Sequence, residues 1–370
     1  MERFDVVVVG AGAAGSAAAR SLAGSGRSCA LIERFELGHA AGSSHGSTRI
    51  FRLAYHHPDY VRMALSALEA WRELESDAGE ALLHRTGGLD FGERAEAAAA
   101  AIDAAAVPSS WLSAAEVEER WPALHAPTGA RALYQADAGV CSADRTLRAL
   151  VRLARAAGAE VRAGTRVEAI VPSSDGAEIR TAEGSLFASA VVVAAGGWAA
   201  PLLEPLGVRL PLTVTLEQVL YLGRERVEPL PTVIEWGAPA RYAVADPAGS
   251  TLKVGEHAAA RAVTAEDRGY DADPASIERV RSWGRERFRH LSAEESTETC
   301  LYTKTPDEDF VIDRVGPVVI CSACSGHGFK FTPLIGRLLA ELATVAEPSV
   351  PLERFRAARF SDPAVSRIGS

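Results

Sequence analysis

The chain has 370 residues, of which 48% are hydrophobic and 24% charged, and its formal net charge is −9 at pH 7. This composition is typical of a globular protein with room for two domains, and an acidic chain lacks the basic excess that a nucleic-acid partner requires. No apolar run is long enough to span a bilayer and no signal peptide precedes the first predicted strand, so we expect a cytoplasmic protein without a membrane partner.

The first predicted elements form a dinucleotide-binding βαβ unit. An apolar strand from Asp5 to Val9 leads into a predicted helix, Ser16 to Ala23, and a second strand, Ser28 to Ile32, ends in Glu33. The loop after the first strand contains three glycines, Gly10, Gly12 and Gly15. Such glycines allow a tight turn beside a pyrophosphate, and an acid about 20 residues later can bind a ribose hydroxyl. FAD or NAD is therefore favoured over NADP, although Arg34 beside the acid weakens this distinction.

A glycine- and serine-rich loop follows and ends in two arginines, Arg49 and Arg52. On a helix, residues three apart share one face, so the two guanidinium groups would lie together. A surface pair is the plain alternative, but the position next to the nucleotide fold favours an anion site. Pro58 to Ser76 then reads as an amphipathic helix.

The middle of the chain moves the predicted cofactor from NAD to FAD. After predicted helices over Ala95–Ala106 and Asp144–Gly158, three short segments read as a strand meander: Thr165–Ile170, Ala177–Thr181 and Ser185–Phe187. A separate buried strand, Ala190 to Val193, ends in glycines that include Gly196, as is typical of FAD proteins. No second GxGxxG motif occurs, so electrons should come from a substrate bound at the flavin rather than from a nicotinamide.

The second half reads as a substrate-binding sheet followed by a return to the nucleotide fold. Val208–Leu222 and Thr232–His257 alternate like antiparallel strands, and Asp273–His290 reads as a capped helix. A glycine loop, Ser325–Lys330, precedes a helix over Thr332–Thr344, and such a helix start is an anion site. Cys321 and Cys324 form an isolated C-x-x-C pair, which favours neither a redox nor a metal site, so no metal is expected.

Lysine is rare in this chain. Of 39 basic residues only Lys253, Lys304 and Lys330 are lysines. Where a cation only needs to be solvated the chain uses arginine, so the lysines are candidates for positions that need a compact ammonium group. The alternative is that these three lysines remain by chance and have no special role.

Four blocks of the sequence resemble the monomeric sarcosine oxidase and N-methyltryptophan oxidase family, within the D-amino-acid-oxidase-like flavoproteins. The blocks are Gly10–Gly15 with Glu33, Gly42–Arg52, Cys300–Glu308 with Asp313, and Ser325–Phe331. The resemblance implies an α/β fold with a discontinuous Rossmann-like FAD-binding domain (1–85, 142–208 and 304–370). A mainly antiparallel substrate domain would comprise residues 86–141 and 209–303.

The resemblance also implies roles for individual residues. FAD would be bonded covalently to Cys300, the substrate carboxylate would lie on Arg52 and Lys330, and Lys253 would assist oxygen reduction. Tyr242 and His257 match substrate-side residues. The remaining residues expected at the cofactor are Arg34, Ser44, His45, Thr48, Arg49, Val167, Gly196, Gly326, Gly328 and Phe329.

Several positions depart from the family pattern. Arg241 and Glu256 stand where aromatic residues are usual, Glu217 replaces an arginine, and Ala323-Cys324 replace a glycine–aromatic pair. We expect these changes to make the pocket more polar and more charged.

The sequence therefore predicts a monomeric FAD-dependent oxidase of a secondary or cyclic amino acid other than sarcosine. Its carboxylate would bind the protein, and dioxygen would be reduced to hydrogen peroxide. Three alternatives remain open: a dehydrogenase that passes electrons to a carrier, an oxidase that takes a cyclic imine or amine through several steps, and a flavoprotein retained as a binding module. A further alternative, at the residue level, is that Arg52 pairs with an internal acid such as Glu256 instead of a ligand.

Overall fold

The computed structural model describes residues 1–257 and 260–360, and within them the chain forms three β-sheets and eight α-helices. The strands are β1 (Glu2–Val9), β2 (Cys29–Ile32), β3 (Thr48–Phe51), β4 (Leu83–His84), β5 (Gly88–Phe91), β6 (Ser110–Ser113), β7 (Arg131–Gln135), β8 (Gly139–Ser142), β9 (Glu160–Arg162), β10 (Val167–Ser173), β11 (Gly176–Thr181), β12 (Gly184–Val193), β13 (Thr213–Arg224), β14 (Thr232–Glu235), β15 (Ala240–Ala245), β16 (Thr251–His257), β17 (Ala262–Val263), β18 (Leu291–Lys304), β19 (Val311–Val315) and β20 (Val318–Ser322). The helices are α1 (Ala13–Gly24), α2 (Pro58–Ala78), α3 (Glu93–Ala104), α4 (Ala114–Arg120), α5 (Ala143–Ala156), α6 (Ala199–Leu203), α7 (Pro274–Arg287) and α8 (Thr332–Ala343). The predicted α/β class is confirmed.

The first sheet is built around the parallel strands β9, β2, β1 and β12. The far edge of β12 carries β11 along its first half and β20 along its last three residues. Helix α8 covers this sheet and packs on α1, where a Cβ on Gly336 would lie 2.5 Å from the Cβ of Ala17. The nucleotide-binding unit is therefore assembled from the start, the middle and the end of the described chain.

The second sheet is mainly antiparallel, as predicted for the substrate side. Its order is β17-β13-β16-β15-β14-β5-β7-β6. β17 and β16 pair with successive parts of one edge of β13, and β18 pairs along the opposite edge. One neighbouring pair, β5 and β14, is parallel. Helix α7 begins as predicted, because the side chain of Asp273 accepts hydrogen bonds from the N–H groups of Ala275 and Ser276.

Two predictions of local structure are wrong. Arg49 lies in β3, which pairs with β8, and Arg52 directly follows that strand, so the two arginines do not share a helix face. The β-branched residues Thr48 and Ile50 favour this strand. The predicted segments Ser185–Phe187 and Ala190–Val193 are one continuous strand, and Ala188 between them pairs with Phe4 of β1.

The division into two domains, with boundaries at residues 85, 141, 208 and 303, stays a prediction. The last ten residues of the predicted FAD-binding domain, 361–370, lie outside the described residues. Within residues 1–257 and 260–360, none of the helices has the length and apolar character needed to cross a membrane.

Candidate functional site

One cavity of about 470 Å³ runs from the glycine loop after β1 to Arg52 and Lys330 beside the second sheet. The βαβ unit supplies its first end, and the strands β15, β16 and β18 supply the wall at the other end. The cavity is therefore lined by both of the large sheets.

The glycine loop needs glycine at its first position. Gly10 has φ = +102°, and a Cβ there would lie 2.6 Å from the carbonyl oxygen of Ala194 at the end of β12. Its N–H donates to the carbonyl of Ile32 at 2.8 Å. Gly12 allows Ser44 to approach, and the Ser44 hydroxyl accepts a hydrogen bond from the N–H of Ala13 at 3.1 Å, which satisfies one free donor at the start of α1.

Glu33 is buried at the end of β2 and is held by the backbone. Its carboxylate accepts from the N–H groups of Ala11 at 2.8 Å and Phe35 at 3.0 Å. Burial raises its pKa, but hydrogen bonds from His39 and from these two N–H groups outweigh that effect, so the pKa is lowered overall. Glu33 is thus an anion fixed at the cavity wall, the position that a ribose-binding acid occupies in this fold.

Arg49 organises the loop between the two ends of the cavity. Its guanidinium donates to the carbonyl oxygens of Ser43 at 3.0 Å, His45 at 2.6 Å and Thr48 at 2.8 Å. These bonds fold the loop around the arginine, so part of its donor capacity serves the loop itself. Cys300 also lines this part of the cavity, where burial raises the pKa of its thiol to about 11 against the opposing effect of Arg49.

Several buried polar atoms at the cavity have no hydrogen-bond partner among the described residues. They include Nδ1 of His45, Oγ of Ser322 and Oγ1 of Thr303. Buried polar atoms of native proteins are nearly always hydrogen-bonded, so unpaired atoms beside a cavity indicate a ligand with polar groups. Together with the glycine loop and the fixed Glu33, these residues fit a bound FAD.

Lys253 faces the cavity from β16 and is 4% exposed. Its ammonium group donates to the carbonyl of Thr48, and among the described residues no carboxylate lies within ion-pair distance of it. Burial, followed by the charge of Arg49, lowers its pKa well below the usual value. Lys253 is therefore a buried amine at the cavity, and negative charge developing beside it would favour its protonated form.

At the far end of the cavity Arg52 is packed between aromatic rings. Its guanidinium carbon lies 4.1 Å from the ring centroid of Tyr55 and 5.1 Å from that of Trp236. It donates to the carbonyl of Ala54, and among the described residues it has no acid partner. The alternative that Arg52 pairs with Glu256 is therefore wrong.

Lys330 lies beside Arg52 and is 5% exposed. Its ammonium group donates to the carbonyl of His327 at 2.8 Å, and its own carbonyl accepts from the indole N–H of Trp71 at 2.7 Å. Burial and the charge of Arg52 lower the pKa of Lys330 well below the usual value. An anion bound between the two cations would reverse this shift.

A buried network holds Arg52 from behind. The side-chain oxygen of Gln135 accepts from the N–H groups of Leu53 at 3.0 Å and Ala54 at 2.6 Å. The Gln135 amide donates to Asp90 at 3.1 Å, and the Trp236 indole donates to the other oxygen of Asp90 at 2.9 Å. Asp90 thus fixes both the turn that follows β3 and the ring against which Arg52 packs.

Tyr242 and His257 face the cavity from β15 and β16, near Tyr302 of β18. A Cβ on Gly255 would lie 2.7 Å from the Tyr242 hydroxyl, so glycine is needed opposite this tyrosine. Burial lowers the pKa of His257 to about 4, assisted by the charges of Arg52 and Lys330. Its imidazole is therefore neutral near pH 7, while burial raises the pKa of Tyr242 and keeps its hydroxyl protonated.

Two charged departures from the family pattern lie on β15 and β16, and of these Arg241 lines the cavity while Glu256 does not. Arg241 and Glu256 are paired across β15 and β16 on the face opposite to Tyr242 and His257. There Glu256 binds Arg279 of α7 at 2.8 Å and has Arg241 at 3.6 Å. The prediction that Glu256 makes the pocket more charged is wrong, because side chains alternate between faces along a strand. For Arg241, which lines the cavity, it stays a prediction.

Glu217 lies opposite Cys300 in the β13–β18 pair and is only 3% exposed. It accepts a hydrogen bond from Thr215 at 2.6 Å and lies in the wall, outside the residues that line the cavity. Burial raises its pKa. Of these departing residues, Arg241, Ala323 and Cys324 line the cavity, whereas Glu217 and Glu256 do not.

The structure brings nearly all predicted site residues to one cavity; the exceptions are Gly15, which packs against Gly10, and Thr48, which contributes through its backbone. The roles of these residues stay predictions. Sequence analysis missed Tyr55, Trp236 and the Asp90–Gln135 pair, because no local pattern connects residues that far apart. The one available signal was that Trp236 lies within Thr232–His257, the segment predicted to form strands of the substrate-binding sheet.

Comparison with known proteins supports FAD as the ligand of this cavity. The model of the FAD dependent oxidoreductase (DAO) family matches residues 5–342. The chain is 34% identical to a monomeric sarcosine oxidase of Bacillus sp. (strain B-0618), covering 92% of each chain, and 33% identical to the peroxisomal sarcosine oxidase of Homo sapiens, covering 96% of each. It is also similar to the open form of NikD, described as an unusual amino acid oxidase essential for nikkomycin biosynthesis. That structure superposes with a TM-score of 0.88 at 30% identity, over 96% of this chain and 98% of that one. The chain belongs to the DAO family of FAD-dependent oxidoreductases, and the resemblance to sarcosine oxidases is confirmed.

Proposed function

We propose that this FAD-dependent oxidoreductase oxidises the C–N bond of a secondary or cyclic amino acid larger than sarcosine, with dioxygen as the electron acceptor and hydrogen peroxide as a product. The observation that carries the proposal is the pair of cations Arg52 and Lys330. Both face the cavity, and neither has an acid partner among the described residues.

A substrate carboxylate accounts for both cations. The planar guanidinium of Arg52 suits two carboxylate oxygens, and Lys330 adds a point charge beside it. The rings of Tyr55 and Trp236 restrict the guanidinium before the substrate arrives, so little side-chain entropy is lost on binding. The carboxylate would thereby fix the position of the neighbouring C–N bond.

The residues around the amine are suited to hold it without charging it. Neutral His257 can accept a hydrogen bond from the substrate amine, and the protonated hydroxyl of Tyr242 can donate one. When bound, FAD supplies the redox chemistry by accepting the two electrons and the hydrogen that the substrate loses. The protein itself then contributes orientation and electrostatics rather than a covalent step.

Lys253 supports the choice of dioxygen as acceptor over a protein carrier. Reducing dioxygen builds negative charge, and a cation fixed in a dry site stabilises such charge strongly. Lys253 is buried, is held by the carbonyl of Thr48 and faces the cavity. We also propose that FAD is bonded to the thiol of Cys300. The alternative thiol, Cys324, accepts a hydrogen bond from the N–H of Thr303 at 3.5 Å.

The cavity also supports a substrate with a larger side chain than sarcosine has. Beyond Arg52 it continues to Ala98 of α3, Ile234 of β14 and Trp236. These side chains offer an apolar and aromatic surface that a methylamine substituent alone would leave uncovered.

The test is a binding titration with small carboxylates, followed through the absorbance of bound FAD. Carboxylates should perturb the spectrum competitively with substrate, and the matching amides should bind about 10²-fold more weakly, since a charge-assisted hydrogen bond is worth about 1.5–3 kcal/mol. Arg52→Gln should abolish the perturbation. Arg72→Gln, an exposed arginine of α2, is the control and should leave it intact.

Turnover is tested separately, by screening N-methyl and cyclic amino acids for peroxide release. If carboxylates leave the spectrum unchanged while a plain amine is oxidised well, the amino-acid assignment fails. Reduction of FAD without peroxide release would identify a dehydrogenase instead.

A further inference from the structure

Besides Arg52 and Lys330, the substrate end of the cavity contains the cation Arg94, which the proposed function does not use. Arg241 lines the cavity too, but it has Glu256 at 3.6 Å. Arg94 lies at the start of α3 and lines the cavity. Its guanidinium carbon is 5.2 Å from the ring centroid of Trp236, the same ring that Arg52 contacts at 5.1 Å. The two guanidinium groups are therefore separated by no more than the sum of these distances.

The fold fixes Arg94 and Trp236 together. β5 and β14 are parallel neighbours, and these two residues come just after their carboxyl ends, which meet at one sheet edge. Gly92 has φ = +92° and its missing side chain leaves room for Trp236, whose N–H donates to the carbonyl of Phe91 at 2.9 Å. The sheet thereby places Arg94 and Trp236 together at one edge, where both line the cavity.

The charge at this end of the cavity is not balanced. Although the chain has 48 acidic and 39 basic residues, no described carboxylate forms an ion pair with Arg52, Arg94 or Lys330. The nearby acid Asp90 is 2% exposed, and both of its oxygens are engaged by Gln135 and Trp236. One substrate carboxylate would satisfy Arg52 and Lys330 and leave Arg94 free.

We propose that Arg94 and the ring of Trp236 form a second anion subsite, so that the preferred substrate is an amino acid with an additional carboxylate on its side chain. This inference rests on the proposed function, because the first carboxylate is the one held by Arg52 and Lys330. The apolar surface between the two cations, formed in part by Trp236 and Ile234, would cover the carbon chain that joins the two carboxylates.

The experiment compares straight-chain dicarboxylates, from malonate to adipate, with monocarboxylates of equal length, again through the absorbance of bound FAD. The best dicarboxylate should bind about fivefold more tightly than its matched monocarboxylate, the upper range for an ion pair with one exposed partner. This advantage should decrease with added salt. Because a dicarboxylate has two groups that can occupy the Arg52 site, an advantage of about twofold or less is statistical and would overturn the proposal.

Arg94→Gln should remove the dicarboxylate advantage while monocarboxylates still bind. The control is Arg131→Gln, since Arg131 is also exposed and stacks on a tryptophan, 4.5 Å from the ring centroid of Trp111, but does not line the cavity. A dicarboxylate advantage that survives Arg94→Gln would refute the second subsite alone. Failure of every carboxylate to bind would refute the proposed function as well.

Discussion

Replacing Lys253 by methionine should slow the reaction with dioxygen and stabilise the protein at the same time. The lysine is 4% exposed, and within the part of the chain that the structure describes its ammonium group donates one hydrogen bond, to the carbonyl of Thr48. Its pKa is lowered first by burial and then by Arg49. Methionine has a similar volume and no charge, so the change removes the cation with little disturbance of the packing.

The effect on stability follows from the lowered pKa. Between the folded pKa and the unfolded value of about 10.4, the unfolded chain binds more protons than the folded one, so stability rises with pH across this window. Replacing buried ionic groups with well-packed apolar side chains is often neutral or stabilising by about 1–4 kcal/mol, as buried ion pairs show, and the orphaned carbonyl of Thr48 costs about 1–3 kcal/mol. We expect a net gain of about 1 kcal/mol at pH 7 and a shallower rise of stability with pH.

The effect on rate is larger. Losing one preorganised electrostatic contact typically costs about 10²-fold to 10³-fold. Stopped-flow measurement should find reoxidation of reduced FAD by dioxygen slowed by about 10²-fold or more, with a much smaller effect on reduction by substrate. Lys304→Met, at the end of β18 and outside the cavity, is the matched control. Equal slowing of both half-reactions, or a loss of stability, would mean that Lys253 has a structural role and would refute the reasoning.

Three other predictions concern the same cavity. Cys300→Ala should release all FAD into the supernatant after acid precipitation, whereas Cys324→Ala should keep it in the pellet; the reverse pattern would assign the bond to Cys324. Asp90→Asn leaves one of two buried N–H donors without an acceptor, so urea unfolding should reveal a loss of about 1–3 kcal/mol in the free energy of unfolding. KM should rise more than kcat falls, because Arg52 is positioned through Asp90. Equal changes in KM and kcat would argue against positioning. Because the pKa of His257 is lowered to about 4 from its usual 6.5, the unfolded chain takes up the proton first and stability should fall as the pH drops from 6.5 to 4; His257→Gln should make this fall shallower, and an unchanged pH profile would contradict the shift.

The parts of the fold that were predictable depend on local patterns. The βαβ unit was predictable because its signals are close in sequence. They are the run of valines in β1, the glycines that follow it and Glu33 after β2, and together they indicate a dinucleotide-binding fold. The helix start at Asp273 was equally clear, because capping acts within one turn.

The failures come from contacts between distant segments and from strand faces. Alternate residues of a strand share one face, so Gly255 and Lys253 lie on the face of His257 and Glu256 lies on the other. The wrong placement of Glu256 in the pocket was therefore avoidable from the sequence. The support of Arg52 by Asp90, in contrast, depends on β5 lying beside β14, and no pattern at residue 90 points to residue 236.

The order of strands in the first sheet has a consequence for how the chain folds during synthesis. Val7 of β1 pairs with Val191 of β12, which in turn pairs with Val318 of β20, and α8 then packs on α1. The earliest strand to leave the ribosome can pair with β2 at once, but its other neighbour, β12, is complete only at residue 193, and β20 and α8 follow later still. Such a high contact order makes folding slow, since large loops must close before the pairing stabilises them. We expect the nascent amino-terminal half to depend on chaperones until the segment around residue 318 emerges.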